Sequence, residues 1–523
     1  MPRLTLIAAA WSALALCACG EASTSSAGAA APAAAAPAPA AAAAVDWVPP
    51  LGVPAPSFGI RETGAAATYF VDDTHAAATD DANPQGSPAR PRRTVPQALP
   101  AGAVVELRGG PYQASRLTWR ATGTAAAPVF VRGVGTPVLA VGELRMQGSY
   151  LVVEGVVVDG GRVTMGPGDH LALRRSEVRG YAPGGHSAAV AIEGTDVVVH
   201  ANEIHRNGDA SGTAEEDVHG VKASTGDARV WIVDNHIHHN GGDAVQIGSS
   251  RADEPWAEHV YIGRNHLHDD RENGVDIKQA RDVVVSENQI HSYRPSSSSS
   301  GEAVVVHDDP ERVWIVNNEV RDAARGVVCT GAVGFYVIGN VIHRIHHAGG
   351  DYDPDSLYGT QAVLVYSTPE VHVVSNTLFD VDGGISFPSG ARAVVVDNVI
   401  AALSQPSHHV GVGSPGARSS VMSHNLLGGA VRIKWGSNRA QGLGDFQGAS
   451  GQGTSCVAGD PRFENPAAGD FRLRTGSPAI DAGVTPDAYA TFERLYGRSL
   501  GRDRAGNPRP SGRAYDLGAL ERP

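Results

Sequence analysis

Asp282-Val283-Val284-Val285-Ser286-Glu287-Asn288 reads as a short β-branched strand that runs straight into a turn. The same pattern ends at Gly155, Ser176, Asn202, Asn235, Asn265, Asn288, Asn318, Asn340, Asn376, Asn398 and Asn425, and from the third copy onward the turn residue is always asparagine. Successive intervals are 21, 26, 33, 30, 23, 30, 22, 36, 22 and 27 residues. The floor of 21 to 23 is the length of one coil. The variable excess is what loops projecting from fixed rungs would give, whereas helical repeats would lengthen in amphipathic pieces. Rungs stacked about 4.8 Å apart place like turn residues above one another. The asparagines should therefore form a ladder of amide hydrogen bonds, satisfying groups that a tight turn leaves unpaired. The expected fold is all-β, a parallel β-helix whose coils bury a core together that none could bury alone.

A chain of 523 residues could hold two or three domains, but one periodic stretch argues for a single elongated body with end caps. Residues 57–140 read as the N-terminal cap and first coils, 141–430 as the solenoid, and 431–523 as the last coils and C-terminal cap. Aromatic residues are only 6%, which suits thin coils filled by small β-branched side chains. A net charge of −13 supplies no basic field for nucleic acid, so no polynucleotide partner is expected. At the start, Arg3 precedes an apolar run from Leu4 to Leu16, followed by Cys17-Ala18-Cys19-Gly20. Residues 1–19 have the layout of an export signal whose end resembles a bacterial lipobox, with Cys19 as the lipidated residue. Residues 20–56, rich in Ala, Ser and Pro, read as a disordered tether. These features imply an exported, lipid-anchored monomer, at the bacterial outer membrane or cell surface or in the periplasm. Cys329 falls on an inward strand phase and is expected as a buried free thiol.

Thr68-Tyr69-Phe70-Val71-Asp72-Asp73 and the run from Ala103 to Tyr112 resemble the entry segment of secreted right-handed parallel β-helix proteins, among them polysaccharide lyases of the alginate and chondroitin lyase type. Asp460-Pro461-Arg462-Phe463, the segment Ser477–Gly483 and the run from Asp503 to Glu521 resemble the tail of the same group. The resemblance implies a pectate-lyase-like solenoid of about eleven or more coils, with a short helix covering the open first coil.

Each coil parses into a strand after a long loop, a short turn, the valine-rich strand, a brief third strand and the next loop. In successive coils the first strand carries His219 and Lys222, Asp243 and Gln246, Asn273, Asp276 and Lys278, Glu302, Val305 and His307, then Arg325 and Val328. Alternation turns the intervening Val, Ile and Ala inward and stacks these residues on one outer face. Long loops at 249–258, 292–301 and 346–359 border that face, and a groove open at both ends suits a polymer. For a uronate polysaccharide, β-elimination needs a base for the proton α to the carboxylate, a cation to neutralise that carboxylate, and an acid for the leaving oxygen. Lys278, its pKa lowered by nearby cations and desolvation, is the expected base, with His307 as acid and Tyr293 or Arg294 as substitutes. Arg325 or Lys222, or a calcium ion held by Asp243, Asp276 and Glu302, would neutralise the carboxylate, and His219, Gln246 and Arg294 would help hold substrate.

The run Asp276-Ile277-Lys278-Gln279-Ala280, followed by Val304-Val305-Val306-His307, resembles the catalytic coils of alginate and chondroitin B lyases, which carry a lysine base and then an arginine on the following coil. Lys278 matches the lysine and His307 stands in the arginine's place, while Arg271 and Asn273 replace paired glutamates that would bind calcium. A C5-epimerase would share the same proton abstraction. A pectin-type hydrolase would need clustered aspartates, and Asp269-Asp270, Asp308-Asp309 and His219-Gly220 occur in the wrong order for that group. A glycan-binding or structural protein on the same scaffold is the non-enzymatic alternative. Finally, three residues after the asparagines stand His205, His238, His268, His291, Arg321 and His343. They are expected as a stacked surface ladder, because metal sites rarely form single rows.

Overall fold

The computed structural model describes residues 47–523 except 64, 212–215, 252, 350–352 and 390, so the export signal and Cys19 lie outside the described residues. One coil shows the plan: strands Val275–Ile277, Ala280–Ser286 and Gln289–His291, each paired in parallel with its counterpart in the next coil. The first and second strands of all coils join in one 26-stranded sheet, and the third strands form a separate sheet of 14 in chain order. The first-strand column Val221, Val245, Val275, Val304, Val327, Val363, Ile385, Val410 and Ile433 runs in unbroken register. Every member is buried in the central core, each contributing roughly 1.5–3 kcal/mol of hydrophobic stabilisation. This is the parallel β-helix expected from the spacing.

The turn before each asparagine explains why the repeat chose that residue. Ala201, Asp234, Arg264, Glu287, Asn317, Gly339, Ser375, Asp397 and His424 all adopt left-handed backbone, with φ between 50° and 69°. For a residue with a side chain that conformation costs about 1–3 kcal/mol, so something must hold it. Each asparagine side chain does. Asn288 Nδ2 donates to the Ile262 carbonyl at 2.9 Å and to Asn318 Oδ1 at 2.9 Å, while its Oδ1 accepts from the backbone and side-chain nitrogens of Asn265. The ladder starts where Ser176 N donates to Asn202 Oδ1 and ends where Asn425 N donates to Cys456 Sγ at 3.4 Å. A second, shorter ladder follows the third strand, Asn207 to Asn240 to Asp270.

The valine-rich strands read as unbroken apolar runs because both their faces are buried. Val283 and Val285 join the central core, whereas Val284 belongs to an outer cluster with Trp231, Tyr261 and Trp314. Val53, Phe58 and the C-terminal helix Asp487–Tyr496, through Phe492, cover that cluster. Residues 47–56 therefore pack against the solenoid rather than belonging to the expected tether; Trp231 Nε1 donates to the Pro54 carbonyl at 2.8 Å. The expected N-terminal capping helix is not found among the described residues. The α-helices among the described residues are Ser414–Ala417, Leu443–Ser450 and Asp487–Tyr496, all in the C-terminal part of the chain. Cys329 is a buried free thiol as expected, and burial pushes it up to about 12.

Candidate active-site cleft

The register that packs the first-strand valines inward also aligns their outward neighbours: Lys222 beside Gln246, Gln246 beside Asp276, and Asp276 beside Val305. Lys278 and His307 follow one strand position beyond, on adjacent coils. They meet at one carboxylate. His307 Nε2 lies 2.9 Å from Asp276 Oδ1, and Lys278 Nζ lies 3.5 Å from Asp276 Oδ2. With Glu272, Glu302 and Ser298–Ser300 they line an open cleft of about 510 Å³. The loop 292–301 forms one wall: Ser299 Oγ bonds Asn273 Oδ1 at 2.7 Å and Glu302 Oε2 at 3.1 Å, and Ser298 Oγ bonds Glu272.

Beneath the cleft runs a polar relay. Gln246 Nε2 reaches Asp243 Oδ2 at 3.3 Å and Asp276 Oδ2 at 3.5 Å. Asp243, 1% exposed, accepts from Asn273 Nδ2 at 2.8 Å and lies 3.2 Å from His219 Nδ1. Burial raises the Asp243 carboxyl, and the Asp276 charge raises it further. Asp276 ends on the other side: burial would raise it, but His307 and Lys278 outweigh burial and hold it below 3.8.

The same balance corrects the expectation for Lys278. Burial lowers its pKa, but the charges of Asp276 and Asp243 win, so the ammonium is held above 10.5. The lysine pushed downward is Lys222, by burial first and then by the Lys278 charge. His307 is also raised, because its hydrogen bond to Asp276 and the charges of Asp276 and Asp308 overcome burial.

Other expected site residues are placed elsewhere or already engaged. Tyr293 has 0% exposure and donates to Asp270 Oδ2 at 3.0 Å, so it ends the second ladder and cannot meet a substrate. His219 is 2% exposed and lies 3.2 Å from Asp217 Oδ1, which makes it part of the relay rather than a sugar contact. Arg294 lines a neighbouring pocket with Asp269 and Ser292, and donates to the Asp322 carbonyl at 2.9 Å. Arg325 is engaged by Glu302, a lining residue of the cleft, with Nη1 3.3 Å from Glu302 Oε1. The calcium set does not assemble: Asp243 is engaged by Asn273, Asp276 by His307 and Lys278, and Glu302 by Arg325. Among the described residues, the carboxylate-bearing group that does converge here is Asp217, His219 and Asp243, with ligand atoms within 4.8 Å of one another. The loop 292–301 was expected as a wall and supplies Ser298–Ser300, but sequence reasoning missed Asp217 and Glu272. Their only signal was position in loops of irregular length.

The family model described as "Right handed beta helix region" matches residues 255–431. No curated protein matches the sequence. Similar solved structures include a pectate lyase at 14% identity and TM-score 0.42, covering 87% of this chain and 97% of that one. A mannuronic acid specific polysaccharide family 6 lyase from human gut microbiota has 13% identity and TM-score 0.45, covering 76% and 94%. An A-module of an Azotobacter vinelandii mannuronan C-5 epimerase has 14% identity and TM-score 0.39, covering 69% and 91%. The chain folds as a parallel β-helix, and its residues 255–431 match the right-handed β-helix family model.

Proposed function

We propose that the chain acts on a uronate-containing polysaccharide by β-elimination in the Lys278 cleft. The observation that carries this reading is the buried Asp276 carboxylate, which holds two cationic groups from adjacent coils toward one open groove. Lys278, kept as ammonium, pairs with the substrate carboxylate and stabilises the enolate that forms when the α proton leaves. His307, whose protonated form Asp276 favours, delivers a proton to the departing glycosidic oxygen. Lys222, whose charged form is disfavoured, takes the α proton. The two lysines thus exchange the roles expected from sequence. No step is routed through calcium, since the expected ligands are paired with protein groups.

The test is incubation of the protein with alginate, pectate, chondroitin, heparin-like and bacterial exopolysaccharides. Elimination yields an unsaturated uronate seen by ultraviolet absorbance. Reducing ends without that absorbance would mean hydrolysis, a changed uronate composition without cleavage would mean epimerisation, and retention on a glycan column with neither would mean binding only. Lys278→Met should raise KM and lower kcat, while Lys222→Met should lower kcat about 10²–10⁴-fold with KM little changed. The export signal and Cys19 support placing this activity outside the cytoplasm on a lipid anchor, which Cys19→Ala should release from the membrane fraction.

A further inference from the structure

We propose that His236, His238 and His268 form a binding site for a borderline divalent transition metal of the zinc class, on the third-strand sheet and outside the Lys278 cleft. The expected row His205, His238, His268, His291 does stack, with rings 4.9–5.0 Å apart and planes within 15° of parallel. It is not a single row. Strands His236–His238 and His266–His268 pair in register, so His236 and His266 form a second column beside the first.

Two columns create what one cannot, convergence from neighbouring positions. One ring nitrogen from each of His236, His238 and His268 lies within 4.8 Å of the others. His236 Nε2 and His268 Nε2 are 2.8 Å apart, a contact that needs a shared hydrogen. Tetrahedral coordination with bonds of about 2.0–2.1 Å separates ligand atoms by about 3.3 Å, so opening that pair by about half an ångström would admit an ion.

The remaining nitrogens are arranged as a metal site requires. His268 Nδ1 is 2.7 Å from Asp269 Oδ2, which fixes its proton there and leaves the Nε2 lone pair toward His236. His238 Nδ1 is 2.8 Å from His239 Nδ1, leaving its Nε2 as the free donor. That Nε2 is the independent sign of a missing ligand: His238 is 8% exposed, and the atom has no hydrogen-bond partner. A buried acceptor left so is unfavourable, and a bound cation would satisfy it. Glu203 Oε1, 3.5 Å from it, is too far for a good hydrogen bond and converges with His205 and His238 rather than with His236 and His268. Three imidazoles with water in the fourth position suit zinc, and the ion would tie adjacent coils together.

The experiment is zinc titration of the chelator-treated full chain by competition calorimetry, with X-ray absorption to count imidazole ligands. The expected result is one zinc bound in a nitrogen-rich shell. His268→Gln should abolish it, and Asp269→Asn should weaken it about 10- to 100-fold, whereas His372→Gln, on another sheet, should not change it. The proposal is overturned if the wild type takes up no zinc at micromolar concentration. It is equally overturned if a His236→Gln/His268→Gln double variant, with an unchanged circular dichroism spectrum, binds zinc as the wild type does.

Discussion

Replacing Asp276 by asparagine removes one charge and nearly preserves shape, which makes it the sharpest perturbation of the cleft. The His307 contact at 2.9 Å is charge-assisted and contributes roughly 1.5–3 kcal/mol; the Lys278 contact at 3.5 Å contributes less. Against this, the neutral amide no longer carries the desolvation cost of a charge that is 5% exposed. A net loss of about 2 kcal/mol is expected at about pH 5. His307 is raised above 6.5, so its contribution is complete below 6.5 and is lost as pH rises through the folded value. Asp276 is lowered below 3.8, so its contribution is present above 3.8 and is lost as pH falls through its folded value. Both operate together between 3.8 and 6.5. The stability difference between wild type and Asp276→Asn should be greatest in that window and shrink on either side. Urea unfolding across pH measures it, and NMR titration of the His307 imidazole, whose pKa should fall in the variant, reads the cause. A pH-independent loss would refute the reasoning. So would a His307 that titrates unchanged, since Asp308, 3.1 Å from its Nδ1, would then be the group that holds it.

Asn288→Ala removes four side-chain hydrogen bonds, two donated and two accepted, and should cost about 4 kcal/mol by denaturant unfolding at roughly 1 kcal/mol each. Asp270, whose carboxyl burial pushes up to about 8, stays protonated in the fold while the unfolded chain ionises above 3.8. Asp270→Asn should therefore stabilise the protein, by an amount that grows from pH 3.8 to about 8 and then levels off; a constant effect across that range would contradict it. Tyr293→Phe loses one buried hydrogen bond, so a stability change of about 1 kcal/mol is expected, with the proposed lyase activity kept within about twofold; its loss in a folded variant would return Tyr293 to the cleft.

The architecture was legible because it is encoded by recurrence. A side chain every 22 to 36 residues that repeats as asparagine needs a stacked partner above and below, and only parallel coils supply one. The same periodicity fixed which first-strand residues face outward, so the meeting of Lys278 and His307 could be read from Val275 and Val304 sharing a register. Elements outside the period were not legible. The chain from Trp47 to Pro56 looks like linker by composition, yet through Trp47, Leu51 and Val53 it covers the outer face of the valine sheet. Cys456 ends the asparagine ladder without any asparagine to announce it.

Within the site, the sequence by itself determined which charged groups occupy neighbouring coils, since strand alternation and register are local consequences of the repeat. Only the tertiary structure decided what those groups are. Whether Lys278 is base or cation depends on how burial balances against Asp276 and Asp243, and whether Tyr293 is acid or ladder cap depends on which way its loop folds over Asp270. Both are set by distances of a few ångströms between groups 2 positions apart in the chain (Lys278 and Asp276) and 23 to 35 apart (Tyr293 and Asp270, Lys278 and Asp243), and electrostatic and desolvation energies change steeply over such distances, which strand periodicity does not fix.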